Sequence, residues 1–244
     1  MQIIPVIDLK DGQVVHAKRG QRDHYQAIHR NSQLTQSSQP DQVLRALLEF
    51  YPFQCLYIAD LNAITGKGHH REAILQLSFE FPSTEFWIDD GSQLNENPKL
   101  TMNQRQVIGT ESQHTYPKAS QRDYILSLDF AQHPLGLDAW FSEKRYWPKT
   151  VIAMTLTRVG SQLGPDFERL KQLMTTFPEH NWIAAGGVRD ENDLERLSKL
   201  GASGVLIASA LHNGALSPET IAKWQAKKYP GMPGYFQQPE ILKT

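Results

Sequence analysis

Pro5-Val6-Ile7-Asp8-Leu9 and Leu126-Ser127-Leu128-Asp129-Phe130 stand 121 residues apart in a chain of 244, so the second opens about half a chain after the first. Each is a short apolar run that reaches an aspartate. Similar runs continue around them: residues 3–7, 56–59, 85–88, 106–108, 124–128, 151–156, 182–185 and 204–208 make eight in all. Most are continuously apolar rather than alternating, as expected of strands buried on both faces of a parallel sheet. Segments with helical period lie between them. Val43, Leu44, Leu47 and Leu48 form one apolar stripe ahead of the second run. Asp190 is placed to cap the helix that follows it, and Gly201 stands just past that helix's last turn. Ser217-Pro218-Glu219 reads as a cap followed by proline at the first helical position. Residues 110–122 are polar and hold Pro117, which predicts only a short or irregular helix.

Strand and helix alternating in this way imply βα units around a parallel sheet. The two halves echo one another further along. Trp87-Ile88-Asp89-Asp90-Gly91 matches Ile183-Ala184-Ala185-Gly186-Gly187, and Val107-Ile108-Gly109-Thr110 matches Leu206-Ile207-Ala208-Ser209. Four units doubled predict an α/β fold, a single (β/α)8 barrel over residues 1–244 built from two half-barrel repeats, with 229–244 as a C-terminal extension. No linker rich in glycine and serine divides the chain.

Lys and Arg number 25 against 26 Asp and Glu, a net charge of −1, so there is no electrostatic footprint for nucleic acid or an anionic membrane. The lone cysteine, Cys55, has no partner for an intramolecular disulfide, and no apolar stretch approaches the roughly 20 residues that span a bilayer. The expected setting is the cytoplasm. The tail Tyr229-Pro230-Gly231-Met232-Pro233-Gly234-Tyr235-Phe236, rich in turn formers and aromatics, suits wrapping the barrel or a partner subunit, so an oligomer is among the expectations.

Chemistry in such barrels sits at the C-terminal ends of the strands. There this chain places Asp8, Asp60, Asp89, Asp90 and Asp129. A single strand-end aspartate caps the next loop as readily as it reacts. Asp8 and Asp129 together favour function, because matched positions in the two halves set them across the mouth as a base and an acid. Gly186, Gly187, Ala208 and Ser209 follow the seventh and eighth runs, the usual phosphate position, where glycine lets backbone N–H groups approach an anion. Gly91, Gly109 and Thr110, with Lys18 and Arg19 on a hairpin-like segment, are candidates for a second anion or substrate site. His69-His70 read as a solvated loop without a third ligand at metal spacing. The expected partner is a phosphorylated small molecule, with no metal and no cofactor.

Ile4-Pro5-Val6-Ile7-Asp8-Leu9-Lys10-Asp11-Gly12, Val107-Ile108-Gly109-Thr110, Ser127-Leu128-Asp129, Thr157-Arg158-Val159-Gly160-Ser161-Gln162-Leu163-Gly164-Pro165 and Ala184-Ala185-Gly186-Gly187-Val188 resemble, in this order, the histidine-biosynthesis barrels. These are phosphoribosylformimino aminoimidazole carboxamide ribotide isomerase and the cyclase subunit of imidazole glycerol phosphate synthase. The resemblance runs from about Ile3 to Leu211. It implies that Asp8 and Asp129 are the catalytic pair, Asp8 as base and Asp129 as acid, in an aminoaldose to aminoketose isomerisation. It also implies that glycine-rich turns after the third, fourth, seventh and eighth strands hold the two phosphates of a long substrate. Two departures stand out. Asp89-Asp90-Gly91-Ser92 replaces the glycines after the third run, and Arg158-Val159-Gly160 replaces Arg-Asp-Gly after the sixth. Two carboxylates repel a phosphate dianion, so the expectation is a ligand with one phosphate. This combination resembles a divergent branch associated with the biosynthesis of the one-carbon carriers tetrahydromethanopterin and methanofuran. A lyase or synthase in that biosynthesis and a noncatalytic ligand-binding subunit are the alternative readings.

Overall fold

The computed structural model describes residues 1–96, 98–118 and 123–226. The expected C-terminal extension, 229–244, lies outside them. The chain opens with β1 (Gln2–Lys10) and turns at Asp11 and Gly12, both at positive φ, into β2 (Gln13–His16) and the short β3 (Gln26–Ala27). There follow α1 (Pro40–Phe50), β4 (Cys55–Asp60), α2 (Leu61–Ile64), α3 (Arg71–Glu80), β5 (Glu85–Asp89), β6 (Gln104–Gly109), β7 (Ile125–Phe130) and α4 (Ala139–Ser142). The chain continues with β8 (Thr150–Thr155), α5 (Phe167–Thr176), β9 (Asn181–Ala185), α6 (Glu191–Leu200), β10 (Gly204–Ile207), α7 (Ser209–His212) and α8 (Pro218–Ala226).

Each of the eight predicted runs is a strand. Strand β1 and strands β4 to β10 pair in parallel in chain order, and β10 returns to pair with β1, Ile3 opposite Val205, which closes the barrel. Strands β2 and β3 form an antiparallel appendage on β1. After β6 the described residues carry a 3-10 turn, Thr110–Ser112, in place of a full helix; of the predicted irregular helix over 110–122, residues 119–122 lie outside the described set.

Successive side chains of a strand point to opposite faces, and here that alternation sorts the barrel into two apolar layers. Ile4, Tyr57, Trp87, Val107, Ile125, Ile152, Ile183 and Leu206 fill the interior. Their neighbours Ile3, Ile58, Phe86, Ile108, Leu126, Val151 and Val205 pack outward beneath the helices. The stripe expected on α1 is there, with Val43, Leu44 and Leu47 buried. The inward parity carries on to the C-terminal rim, where it reaches Asp8, Asp89, Gly109 and Asp129. Asp60 and Asp90 fall on the opposite parity.

Helix α6 bears out its end signals. The Asp190 carboxylate accepts from Asp193 N–H at 3.0 Å, a cap worth about 1 kcal/mol, and Gly201 closes the helix at φ 96°. Buried Asp193 then receives Arg189 through Nε and Nη2, both at 2.8 Å, and through its backbone N–H at 3.1 Å. That bidentate pair clamps the turn after β9 onto α6 and so holds one wall of the mouth.

Candidate active site

The C-terminal mouth encloses about 970 Å³ of empty space, including the part open to solvent. Its floor and walls are mostly apolar, with Val6, Ala59, Leu61, Ile64, Met154 and Leu156. Set into that surface are Asp8, Asp89, Glu111, Asp129 and Arg22.

The three aspartates lie on the inward parity of β1, β5 and β7 at the C-terminal rim, which is why they meet. Strands β1 and β7 lie opposite one another in the closed sheet, so Asp8 and Asp129 face across the opening. Burial drives the Asp129 carboxyl up to about 8, with Asp89 and Glu111 adding repulsion. Three donors hold it. The Ser127 hydroxyl reaches Oδ1 at 2.6 Å, and the Glu111 N–H and Thr110 hydroxyl reach Oδ2 at 3.1 and 3.4 Å. Burial also drives Asp89 up to about 7, against the pull of the Tyr57 hydroxyl, which donates to it at 2.7 Å. Asp8 rises to about 7 through burial, while Arg22 draws it down and Asp89 pushes it up. Arg22, in a 3-10 turn beyond β2, pairs with Glu111 beyond β6 and so spans the rim.

The opposite wall is different. Gly186 and Gly187 take φ of 100° and 89°. A Cβ on Gly187 would stand 2.4 Å from the Gly164 oxygen, and one on Gly186 would stand 2.6 Å from the Thr155 oxygen. These glycines are therefore required for loop 156–166 to pack over the turn, independently of any ligand. Among the described residues, the backbone N–H groups of Gly187, Val188 and Ser209 make no hydrogen bond, and all three residues line the cavity. Ser209 shares a 2.9 Å hydrogen bond with His16 Nε2. Burial and nearby Lys18 lower the His16 pKa, so the ring adds no positive charge near neutral pH.

The remaining candidates are dispersed. Lys18 and Arg19 are exposed and do not line the cavity. Gly91, at φ 70°, packs against α2, where a Cβ would meet Ile64 Cα at 3.0 Å. Gly109 sits between two carboxyls, and Thr110 is fully buried with its hydroxyl accepting the Asp129 N–H at 2.9 Å. Asp90 turns away from the mouth to accept from Ser92 N–H at 3.1 Å. The solvated reading of His70 is corrected. Its N–H and Nδ1 bond Asp60 at 2.5 and 2.8 Å, and its Nε2 accepts from Gly12 N–H at 2.8 Å, so it ties the loop after β4 to the β1–β2 turn.

Sequence reasoning passed over Tyr57, Arg22 and Glu111. Tyr57 was accessible through parity, since Tyr57, like Trp87, belongs to the inward set. Arg22 and Glu111 arrive on loops, and no periodicity places a loop residue.

A closed parallel barrel whose rim sets inward carboxyls against free backbone donors is a (β/α)8 protein. The chain belongs to the histidine biosynthesis protein family, whose pattern matches residues 2–113 and 140–217. It is 33% identical over 225 residues to an uncharacterized protein of Methanocaldococcus jannaschii, covering 91% of this chain and 97% of that one. It is 24% identical over 248 residues to the 1-(5-phosphoribosyl)-5-((5-phosphoribosylamino)methylideneamino) imidazole-4-carboxamide isomerase of Cytophaga hutchinsonii, covering 93% and 100%. The Streptococcus sanguinis isomerase of the same name is 24% identical over 257 residues, covering 91% and 97%. Among the described residues no helix is long and apolar enough to cross a membrane.

Proposed function

We propose that the protein is an acid–base enzyme acting on a small molecule with one phosphate, through an isomerisation of the aminoaldose to aminoketose type. The observation that carries this reading is the pair Asp8 and Asp129, facing one cavity from opposite strands with carboxyls raised to about 7 and about 8. The names of the bacterial isomerases, at 24% identity, support the reaction class.

The two environments divide the roles. Asp129, the higher of the pair, keeps its proton near neutral pH and protonates the sugar ring oxygen. The C1–O bond breaks as the amine lone pair forms an imine. Asp8, lower and drawn down by Arg22, is ionised and removes the proton at C2. The C–H electrons become the C1=C2 bond and the π pair of the protonated imine returns to nitrogen as its lone pair, giving an enaminol. Its C2 hydroxyl then loses a proton as C1 gains one, which yields the ketose. General acid and base at these positions each contribute about 10²–10⁴ in rate. The phosphate lies at Gly187, Val188 and Ser209, whose free N–H groups supply neutral donors. Binding there holds the reacting carbon between the acids.

The test is turnover of aminoaldose monophosphates by the wild-type protein, with native mass spectrometry to identify any ligand that copurifies. Isomerisation with one solvent proton appearing at C1 supports the reading. A copurifying ligand without phosphate, together with no turnover of any such sugar, overturns it.

A further inference from the structure

Asp89 takes no part in the proton transfer above, so its place on the cavity wall needs another explanation. Burial in an apolar surface disfavours a charged carboxylate, and Glu111 and Asp90 add to the cost. Yet the structure makes room for it. The nearest oxygens of Asp129 and Asp89 lie 3.1 and 3.3 Å from where a Cβ on Gly109 would stand, so glycine at that position lets two carboxyls close in over the strand. Asp8 borders the same cavity, and its carboxyl receives no hydrogen bond from any described residue. Arg22 is the one cation among the described lining residues, and Glu111 already engages it. The cavity therefore presents four acidic groups against one occupied guanidinium. Among the described residues, no group of three or more His, Cys, Asp or Glu is arranged to hold a metal ion. What the wall lacks is a donor with positive charge from outside.

We infer that the space between Asp89, Asp129 and Asp8 is a subsite for a protonated amine, distinct from the nitrogen that forms the imine, so that the ligand is an aminated phosphate monoester with its two charges at opposite walls. Tyr57 engages Oδ2 of Asp89, which leaves Oδ1, near Gly91 N–H at 3.4 Å, for an incoming N–H. Between the poles the walls are Val6, Leu61, Ile64 and Met154, an apolar surface. This inference rests on the phosphate half of the function proposed above and adds the chemistry of the other end.

The test compares pyridoxamine 5′-phosphate with pyridoxine 5′-phosphate, which share ring and phosphate and differ in an aminomethyl against a hydroxymethyl group. By calorimetry near pH 8 the amine probe binds at least about tenfold tighter, the scale of one charge-assisted hydrogen bond. The gap narrows toward about pH 6 as Asp8, Asp89 and Asp129 take up protons. The other groups facing the subsite are Glu111, Arg22, Tyr25 and Tyr57; both tyrosines are pushed up by burial and stay neutral throughout. Asp89→Asn abolishes the preference and leaves pyridoxine phosphate binding intact. Gly109→Ala, which crowds the two carboxyls without removing a charge, weakens the amine probe selectively. Equal affinity for the two probes, or a preference that survives Asp89→Asn in folded protein, overturns the subsite while the phosphate reading stands. If neither probe binds, the phosphate reading falls and the inference with it.

Discussion

The β5–β6 quarter and the β9–β10 quarter are the same step of the two half-barrels, yet their rims carry opposite chemistry. After β9 the chain reads Ala185-Gly186-Gly187, and the matched residues after β5 are Asp89-Asp90-Gly91. At the end of β10, Ser209 opens onto the cavity and meets His16. Its counterpart Thr110 is fully buried and spent on Asp129. One quarter leaves backbone donors free, and the other fills the equivalent space with carboxyls that need donors. A repeated backbone thus preserves geometry while its electrostatic sign reverses, and the proposed ligand with unlike ends rests on that contrast.

The largest effect expected from this contrast concerns a second phosphate. Two unit charges about 4 Å apart at an effective dielectric of about 20 interact by about 4 kcal/mol, repulsive for like signs and worth up to about a thousandfold in binding. The protein is therefore expected not to restore growth to a histidine auxotroph lacking the isomerase, and to turn over its two-phosphate substrate at background rate. Robust growth would break the contrast between the quarters.

Next in size are the proposed proton-transfer groups. Asp8→Asn and Asp129→Asn each lower turnover by at least about a hundredfold while the protein still folds. Wild-type activity rises with pH as Asp8 ionises near about 7 and falls as Asp129 ionises near about 8. The two limbs report the coupled set rather than either residue alone. Arg22→Gln removes the pull that lowers Asp8 and moves the rising limb to higher pH. A profile unmoved by that change would detach Arg22 from the pair.

A smaller effect probes the opposite wall. Gly187→Glu would clash with the Gly164 oxygen and strain a positive-φ backbone, so it confounds folding with binding. Ser209→Asp is the cleaner change. It sets a carboxylate among the free N–H groups and weakens a phosphate monoester by about tenfold or more. Unchanged affinity in that variant would remove the phosphate from this quarter.

The smallest effect is on stability. The Asp129 carboxyl is about 8 in the folded protein against 3.8 ordinarily, so between these values the folded chain holds more protons than the unfolded one. Stability then falls as pH rises through that window. Asp129→Asn removes the penalty, so near pH 8 the variant melts at a higher temperature than the wild-type protein. Near pH 4 the gain vanishes. Melting curves across this range check the sign, and an Asn variant less stable at pH 8 would show that ionised Asp129 is held by its three donors rather than strained by burial.

Much of the architecture was legible because it rests on interactions between near neighbours. A strand buried on both faces must be apolar throughout, a helix end must satisfy its free N–H groups, and these needs marked all eight strands and the Asp190 cap. The half-chain spacing of Asp8 and Asp129 likewise set them at matched rims. Parity counted from Trp87 would have sent Asp89 inward and Asp90 outward, a distinction that reading both as one repulsive pair left out. What the sequence by itself determined is the order of strands and helices and the identity of the residues at each strand's end. Only the tertiary structure brought Arg22 across the rim to Glu111, turned His70 into a tie between loops, and set three carboxyls about one largely apolar cavity. The reason is physical: periodicity is a property of adjacent residues, whereas charge state depends on the groups and the water that surround a side chain once distant segments have met.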